Sequence, residues 1–199
     1  MSRLPMATPL SQLLTEIRGC QVCEAQLPCG PRPVLAAHED SRLLIIGQAP
    51  GRRVHDSGIP WDDPSGERLR EWMGIGSEDF YDPAKVAIVP MGFCYPGTGK
   101  SGDLPPRSEC AELWHDLLLG ELRGAKLTLI IGQYAQKYRL GKDRKPTLTQ
   151  TVRAWKEYRP ACLVLPHPSP RNNIWLKKNP WFEQEVLPYL KKRVTQILR

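Results

Sequence analysis

Leu43-Leu44-Ile45-Ile46-Gly47-Gln48-Ala49-Pro50-Gly51 reads as a buried strand that runs into a tight turn: four aliphatic residues, then Gly, Pro and Gly. A short run that is apolar on both faces suits a parallel strand covered by helices on each side. Ligands of such sheets bind beyond the carboxyl ends of the strands. Gln48, on a turn stiffened by Pro50, is therefore placed where a ligand would bind. Three further runs share the pattern: Val86-Ala87-Ile88-Val89-Pro90, Leu127-Thr128-Leu129-Ile130-Ile131-Gly132 and Cys162-Leu163-Val164-Leu165-Pro166. Each ends in Gly or Pro, and helical sequence fills the gaps. The expected fold is α/β, a three-layer sandwich with a central four-stranded parallel sheet flanked by helices, its four rims gathered at one edge.

The bulk properties narrow the class. A chain of 199 residues is long enough for a full core, and one domain over 1–199 is expected, with residues 1–35 as an arm carrying a helix and a Cys-x-x-Cys. No stretch resembles a signal peptide or approaches the length of a membrane span. A cytoplasmic monomer with no membrane partner is the expectation, and the six cysteines should then be thiols or metal ligands rather than disulfides. The net charge of +7 and pI of 9.2 favour a polyanionic partner. Lys177, Lys178, Lys191, Lys192, Arg193 and Arg199 crowd the C-terminal end, and Arg52-Arg53 follow the first turn.

Along the chain, 9–19 reads as a short amphipathic helix, started by Pro9 and ended by Gly19. Cys20-Gln21-Val22-Cys23 follows at once, as a metal clamp or a redox pair, without a thioredoxin-like unit around it. Cys29 is an extra thiol close to Cys23. Trp61, among Pro and Asp, suits the wall of a pocket, since an aromatic face stacks on a nucleobase. A helix is expected from about Glu67 to Met73. Gly97-Thr98-Gly99-Lys100-Ser101 lacks the spacing of a phosphate loop, which excludes a nucleotide hydrolase of that type. Ser108 is expected to cap a helix running to about Leu122, with Leu113, Trp114, Leu117 and Leu118 in the core. Thr149 to Glu157 reads as a helix with Val152 and Trp155 inward. His167-Pro168-Ser169-Pro170-Arg171-Asn172 has little freedom, so His167 and Asn172 are held nearly fixed. A last helix begins near Pro180-Trp181.

The two rigid loops, Gly47 to Gly51 and His167 to Asn172, together resemble the two signature motifs of the uracil-DNA glycosylase superfamily. Gly58-Ile59-Pro60-Trp61 matches a family segment whose aromatic stacks on the flipped base. The resemblance spans roughly Ile17 to Leu190. It implies a DNA base-excision enzyme that takes a base out of the stack and hydrolyses its N-glycosidic bond. Trp61 would stack on the base, and His167 would stabilise the departing base anion. Gln48, His55 and Asp63 are the other catalytic candidates. Gly47, Ala49, Pro50, Gly51, Trp61, Met91, Ser169, Arg171 and Asn172 would bind substrate, with Arg171 as wedge. Cys20, Cys23, Cys94 and Cys110 resemble the ligands of the iron–sulfur branch, family 4, which implies a [4Fe-4S] cluster. Tetrahedral zinc uses the same thiolates and stays open. The His-Pro-Ser-Pro-Arg-Asn loop resembles that of the single-strand-selective branch.

The chain also departs from the family. The best-known branch has an Asp where this chain has Ala49, and the iron–sulfur branch has a Glu where this chain has Gln48. A Gln is no base, although it can hydrogen-bond a water. His55, Asp56, Asp62 and Asp63 are the nearby alternatives. His55 stands where a related branch carries a histidine that bonds covalently to the abasic sugar. The Asn that reads uracil in relatives falls near Pro90, so the base is uracil or another deaminated or damaged one. The rival to an enzyme is a metal-stabilised DNA-binding module without chemistry.

Overall fold

The computed structural model describes residues 9–100 and 102–199; Ser101 and the first eight residues of the N-terminal arm lie outside the described residues. Its strands are β1 (Leu43–Ile46), β2 (Val86–Ile88), the hairpin pair β3 (Thr98–Gly99) and β4 (Gly102–Asp103), β5 (Leu127–Ile131) and β6 (Cys162–Leu165). β1, β2, β5 and β6 form one parallel sheet in the order β2-β1-β5-β6. β1 is thus a central strand with all its residues buried, which is why its sequence is apolar on both faces. The chain leaves β1 toward β2 on one side and β5 toward β6 on the other. A crevice therefore opens between the carboxyl ends of β1 and β5. The outer edge of β2 is covered by an antiparallel bridge to Ala36, with N–H···O distances of 3.0 and 2.6 Å.

The helices are α1 (Pro9–Arg18), α2 (Arg52–Ser57), α3 (Pro64–Met73), α4 (Ser77–Tyr81), α5 (Ser108–Cys110), α6 (Asp116–Glu121), α7 (Gly132–Leu140), α8 (Leu148–Arg153), α9 (Asn173–Lys178) and α10 (Leu187–Leu198). They flank the sheet as the sequence led us to expect; α3 packs on α10 and α1 on α6. No helix among the described residues is long and apolar enough to cross a membrane.

Local chemistry moves several boundaries. α3 begins at Pro64, three residues before Glu67, because Asp63 caps it and accepts from the Gly66 N–H at 2.8 Å. Ser108 is the first helical residue, not the cap, and its hydroxyl turns to Glu109. A π-helical turn over Ala111–His115 then joins α5 to α6. Such a turn inserts an extra residue and rotates everything after it by about 100°. The buried positions nevertheless keep helical spacing, Ala111, His115, Leu118 and Leu122, and the expected stripe lies largely off that face: Leu113 and Leu117, four apart, are 45% and 56% exposed. The helix expected from Thr149 to Glu157 begins at Leu148, behind a Thr147–Gln150 capping box. It breaks at Ala154 and resumes as a 3-10 turn, Trp155–Tyr158, with Val152 and Trp155 buried. A second π-helical turn, Phe182–Val186, leads into α10.

Candidate functional site

The two stiff loops meet across one cleft. Its walls are Gly47, Gln48, Ala49, Pro50, Gly51 and Val54 from the β1 turn, with Pro60, Trp61 and Asp63 from the following loop. Val34, Ile88, Pro90 and His167 complete it. About 420 Å³ lies between these atoms, part of it open to solvent. The β1 turn is pinned from behind, since Met91 N–H donates to Gly47 O and Gly92 N–H to Gln48 O.

Trp61 has φ +58°, alone in the left-handed region among the described non-glycine residues. A bulky residue there costs about 1–3 kcal/mol and persists only when its surroundings impose it. Two glycines supply that imposition. A Cβ on Gly47 would stand 2.9 Å from the Trp61 ring, and one on Gly66 would stand 2.8 Å from the Trp61 Cβ. The indole therefore packs against Gly47 of the β1 turn and stacks with His167, ring centroids 5.5 Å apart and 29° between planes.

His167 is fixed from three directions. The Ser169 N–H donates to its Nδ1 at 3.2 Å, Asn172 Nδ2 donates to its carbonyl at 2.7 Å, and Arg68 donates to the Ser169 carbonyl at 3.2 Å. Gln136, buried on α7, donates to the Leu165 carbonyl at the end of β6. Burial pushes the His167 pKa down, and Asp63 pulls the other way. The ring is neutral, and because Nδ1 accepts, Nε2 carries the proton. Asn172 thus braces the loop through its Nδ2 and also lines the groove beside it.

A wider groove continues from the cleft, lined by Gln48, Ala49, Gly51, Asp63, His167, Ser169, Arg171 and Asn172, with Gly102 and Asp103 of the β3–β4 hairpin opposite. The Arg171 guanidinium, exposed in the groove, packs on Gly102 of the hairpin. Ile174, in the first turn of α9, is the strongly exposed apolar residue beside this loop, at 68%. Asp103 has no counterpart in the motifs read from the sequence. It is one acid in a glycine-rich hairpin, and only the fold brings it to Gly51. Lys177 and Lys178 end α9, exposed.

Two expected site residues stand elsewhere. His55 is buried and is not a wall of the cleft, because α2 presents Val54 there instead. The imidazole faces Tyr95, and Arg32 donates to the carbonyls of His55 and Asp56 at 2.6 and 2.9 Å. Burial, then Arg32, pushes its pKa down. Met91 lends the β1 turn its backbone, but its side chain lines a different cavity with Tyr134, Lys137 and Tyr138.

The four cysteines come together. Cys20, Cys23, Cys94 and Cys110 line one small cavity with Leu27, Pro31, Pro33, Phe93 and Arg107. Cys29, which competes for a place in the sequence, is not there; its sulfur accepts from Arg52 at 3.4 Å. Burial pushes the Cys94 thiol up to about 11 and the Cys110 thiol up to about 12, so a cation must displace those protons if either is to ionise. Backbone N–H groups of Arg32 and Phe93 point at these two sulfurs, and Arg107 hydrogen-bonds Cys23. Among the described residues, no three His, Cys, Asp or Glu side chains are placed to hold a single metal ion.

Compared with known families, the chain matches over residues 35–191 the family described as the uracil DNA glycosylase superfamily.

Proposed function

The chain belongs to the uracil DNA glycosylase superfamily, and from that premise we propose that it excises a deaminated or damaged base, uracil foremost, from DNA. Membership supports glycosylase-type chemistry in general. The observation that carries the finer reading is the cleft itself. A neutral His167, its Nε2–H fixed by the Ser169 amide, stands stacked on Trp61 beside Gln48. A base turned out of the duplex would enter against the Trp61 ring. As the glycosidic bond breaks, negative charge grows on the base, and a preorganised N–H donor is what lowers that barrier. A neutral donor also avoids the cost of carrying a buried cation before the reaction begins.

The inner walls, Val34, Val54, Ile88 and Pro90, offer apolar contact. The Pro90 carbonyl is already bonded to His115 Nε2 at 2.9 Å. The edge of the base is then read by the Gln48 amide, which both donates and accepts. That supports tolerance of more than one lesion. Lys177 and Lys178 would meet phosphates beside the groove.

Cys20, Cys23, Cys94 and Cys110, which line one cavity with apolar walls, would supply the four thiolates of a [4Fe-4S] cluster, with tetrahedral zinc as the alternative. Bound there, it would cross-link the arm after α1 to the segments flanking the hairpin. Such a site suits a reducing, cytoplasmic setting.

The test is a panel of duplex and single-stranded DNAs carrying uracil, hypoxanthine, xanthine or an oxidised pyrimidine, treated with enzyme and then alkali. Strand cleavage at the lesion is expected for uracil at least. Tight DNA binding with no base released at high enzyme would favour the module without chemistry.

A further inference from the structure

Hydrolysis needs a group to take the proton of the attacking water, and Gln48 cannot. Resting on the glycosylase reading above, we propose that Asp103, delivered by the β3–β4 hairpin, is that group. Its Oδ2 lies 3.3 Å from the place a Cβ on Gly51 would occupy, so the carboxylate touches the β1 turn where only hydrogen stands. It faces the groove shared by Gln48, Asp63 and His167. The hairpin is set by its own pairing and by the His167 loop. Thr98 pairs with Asp103 across it, and the Arg171 guanidinium of the His167 loop packs on Gly102. One short hairpin therefore spans the two loops that make the cleft.

The other nearby acids have structural partners. Asp63 spends Oδ1 on the Gly66 N–H that starts α3. Asp62 faces Arg53 at 4.0 Å, and Asp56 is paired with Arg52 at 3.0 Å. Asp103 is exposed on the hairpin; partial loss of hydration pushes its carboxyl above the usual range, Arg171 pulls it back and Asp63 adds to the rise, a direction that suits a proton acceptor.

The step balances. The water oxygen bonds to C1′ of the deoxyribose as the C1′–N bond breaks, and that bond's electron pair leaves on the base. The base anion is held by His167 Nε2–H. The water's proton passes to Asp103, which becomes a neutral carboxyl and later returns the proton to solvent.

The experiment uses the full chain with Asp103→Asn, Asp103→Ala and Asp103→Glu. Single-turnover release is measured for a base that the unaltered protein excises, alongside affinity for the same DNA and melting temperature. We expect Asp103→Asn to release base about 100-fold more slowly, as loss of a general base does. Its DNA affinity should be unchanged or higher, since an anion near the backbone is gone, and its melting temperature should be unaltered. Asp103→Glu should recover most of the rate that Asp103→Ala loses. A loss under about tenfold in Asp103→Asn, or a Glu variant no faster than Ala, overturns the assignment. If the unaltered protein releases no base from any DNA, the glycosylase reading itself falls and Asp103 with it. Release by the unaltered protein and Asp103→Asn alike removes Asp103 alone.

Discussion

Gly66→Ala sets two physical rules against each other. Gly66 lies in the first turn of α3, where helix propensity alone favours Ala by about 1 kcal/mol. The packing says the reverse. A Cβ there would overlap the Trp61 carbonyl oxygen and stand 2.7 Å from its carbonyl carbon and 2.8 Å from its Cβ. These are backbone and Cβ atoms, so no rotamer change relieves the clash. Overpacking of this kind costs about 1–3 kcal/mol. The shift also pulls the Gly66 N–H from Asp63, a cap worth about 1 kcal/mol. Against the propensity gain, the net is a loss of about 2 kcal/mol, which for a chain of this size lowers Tm by about 4–8 °C. The displaced Trp61 carries the wall of the cleft with it, and a misplacement near 1 Å costs excision up to about 100-fold. Calorimetry gives the first number, and single-turnover excision well below Tm gives the second. A Gly66→Ala protein that melts higher than the parent and excises at full rate would refute the packing argument and the cradle it assigns to Trp61.

Other consequences can be checked more briefly. Burial holds the pKa values of His167, His115 and His55 below 6.5, so the unfolded chain takes up protons first as the pH falls past that value. These groups add stability above pH 6.5 that is lost on acidification, and Tm should drop between pH 6.5 and 5; a flat or rising profile contradicts their burial as neutral rings. Replacing Lys177 and Lys178 by Ala should weaken binding to all DNA sequences and reduce the salt slope by about one unit per lysine; an unchanged slope removes them from the phosphate contacts. Visible absorbance of freshly purified protein should vanish in Cys20→Ser and Cys110→Ser but survive in Cys29→Ser and Cys162→Ser. Colourless parent protein containing zinc would decide against iron–sulfur.

What could be read from the residues alone follows how local the cause is. β1 was legible because a central strand must be apolar on both faces, and the His167 loop because Pro168 and Pro170 leave it few conformations. The meeting of these loops followed from parallel strands having a common rim. Phase was not legible. The buried face over Ala111–His115 and α6 is Ala111, His115, Leu118 and Leu122, while Leu113 and Leu117, just as helically spaced, share the exposed face. The position of His55 is a question of phase too: over so short a helix as α2, one step decides which of two neighbours lines the cleft, and Val54 does so. Cys29 and Cys23 are nearly equivalent as neighbours in sequence, but Arg52 holds the first away from the cavity.

The missing acid follows from the same distinction. Gln48 and Ala49 occupy positions next to a strand end, so their chemistry is visible by counting from Gly47. A search confined to that turn finds no base and concludes that activity has been lost. Yet the turn fixes only where the water must stand, and any segment able to reach Gly51 can supply the carboxylate. The segment between β2 and β5 does reach it, and loops of this kind vary in what they carry while the sheet keeps its form. Gly51 is what joins the two: a side chain at that position would displace Asp103 Oδ2 from 3.3 Å. Gly51 therefore has a reason to be glycine beyond ending a turn. Gly51→Ala, which leaves Gln48, Trp61 and His167 chemically unaltered, should slow base release with little effect on DNA affinity if the acid has moved to the hairpin. A Gly51→Ala enzyme at full speed would place the proton acceptor elsewhere.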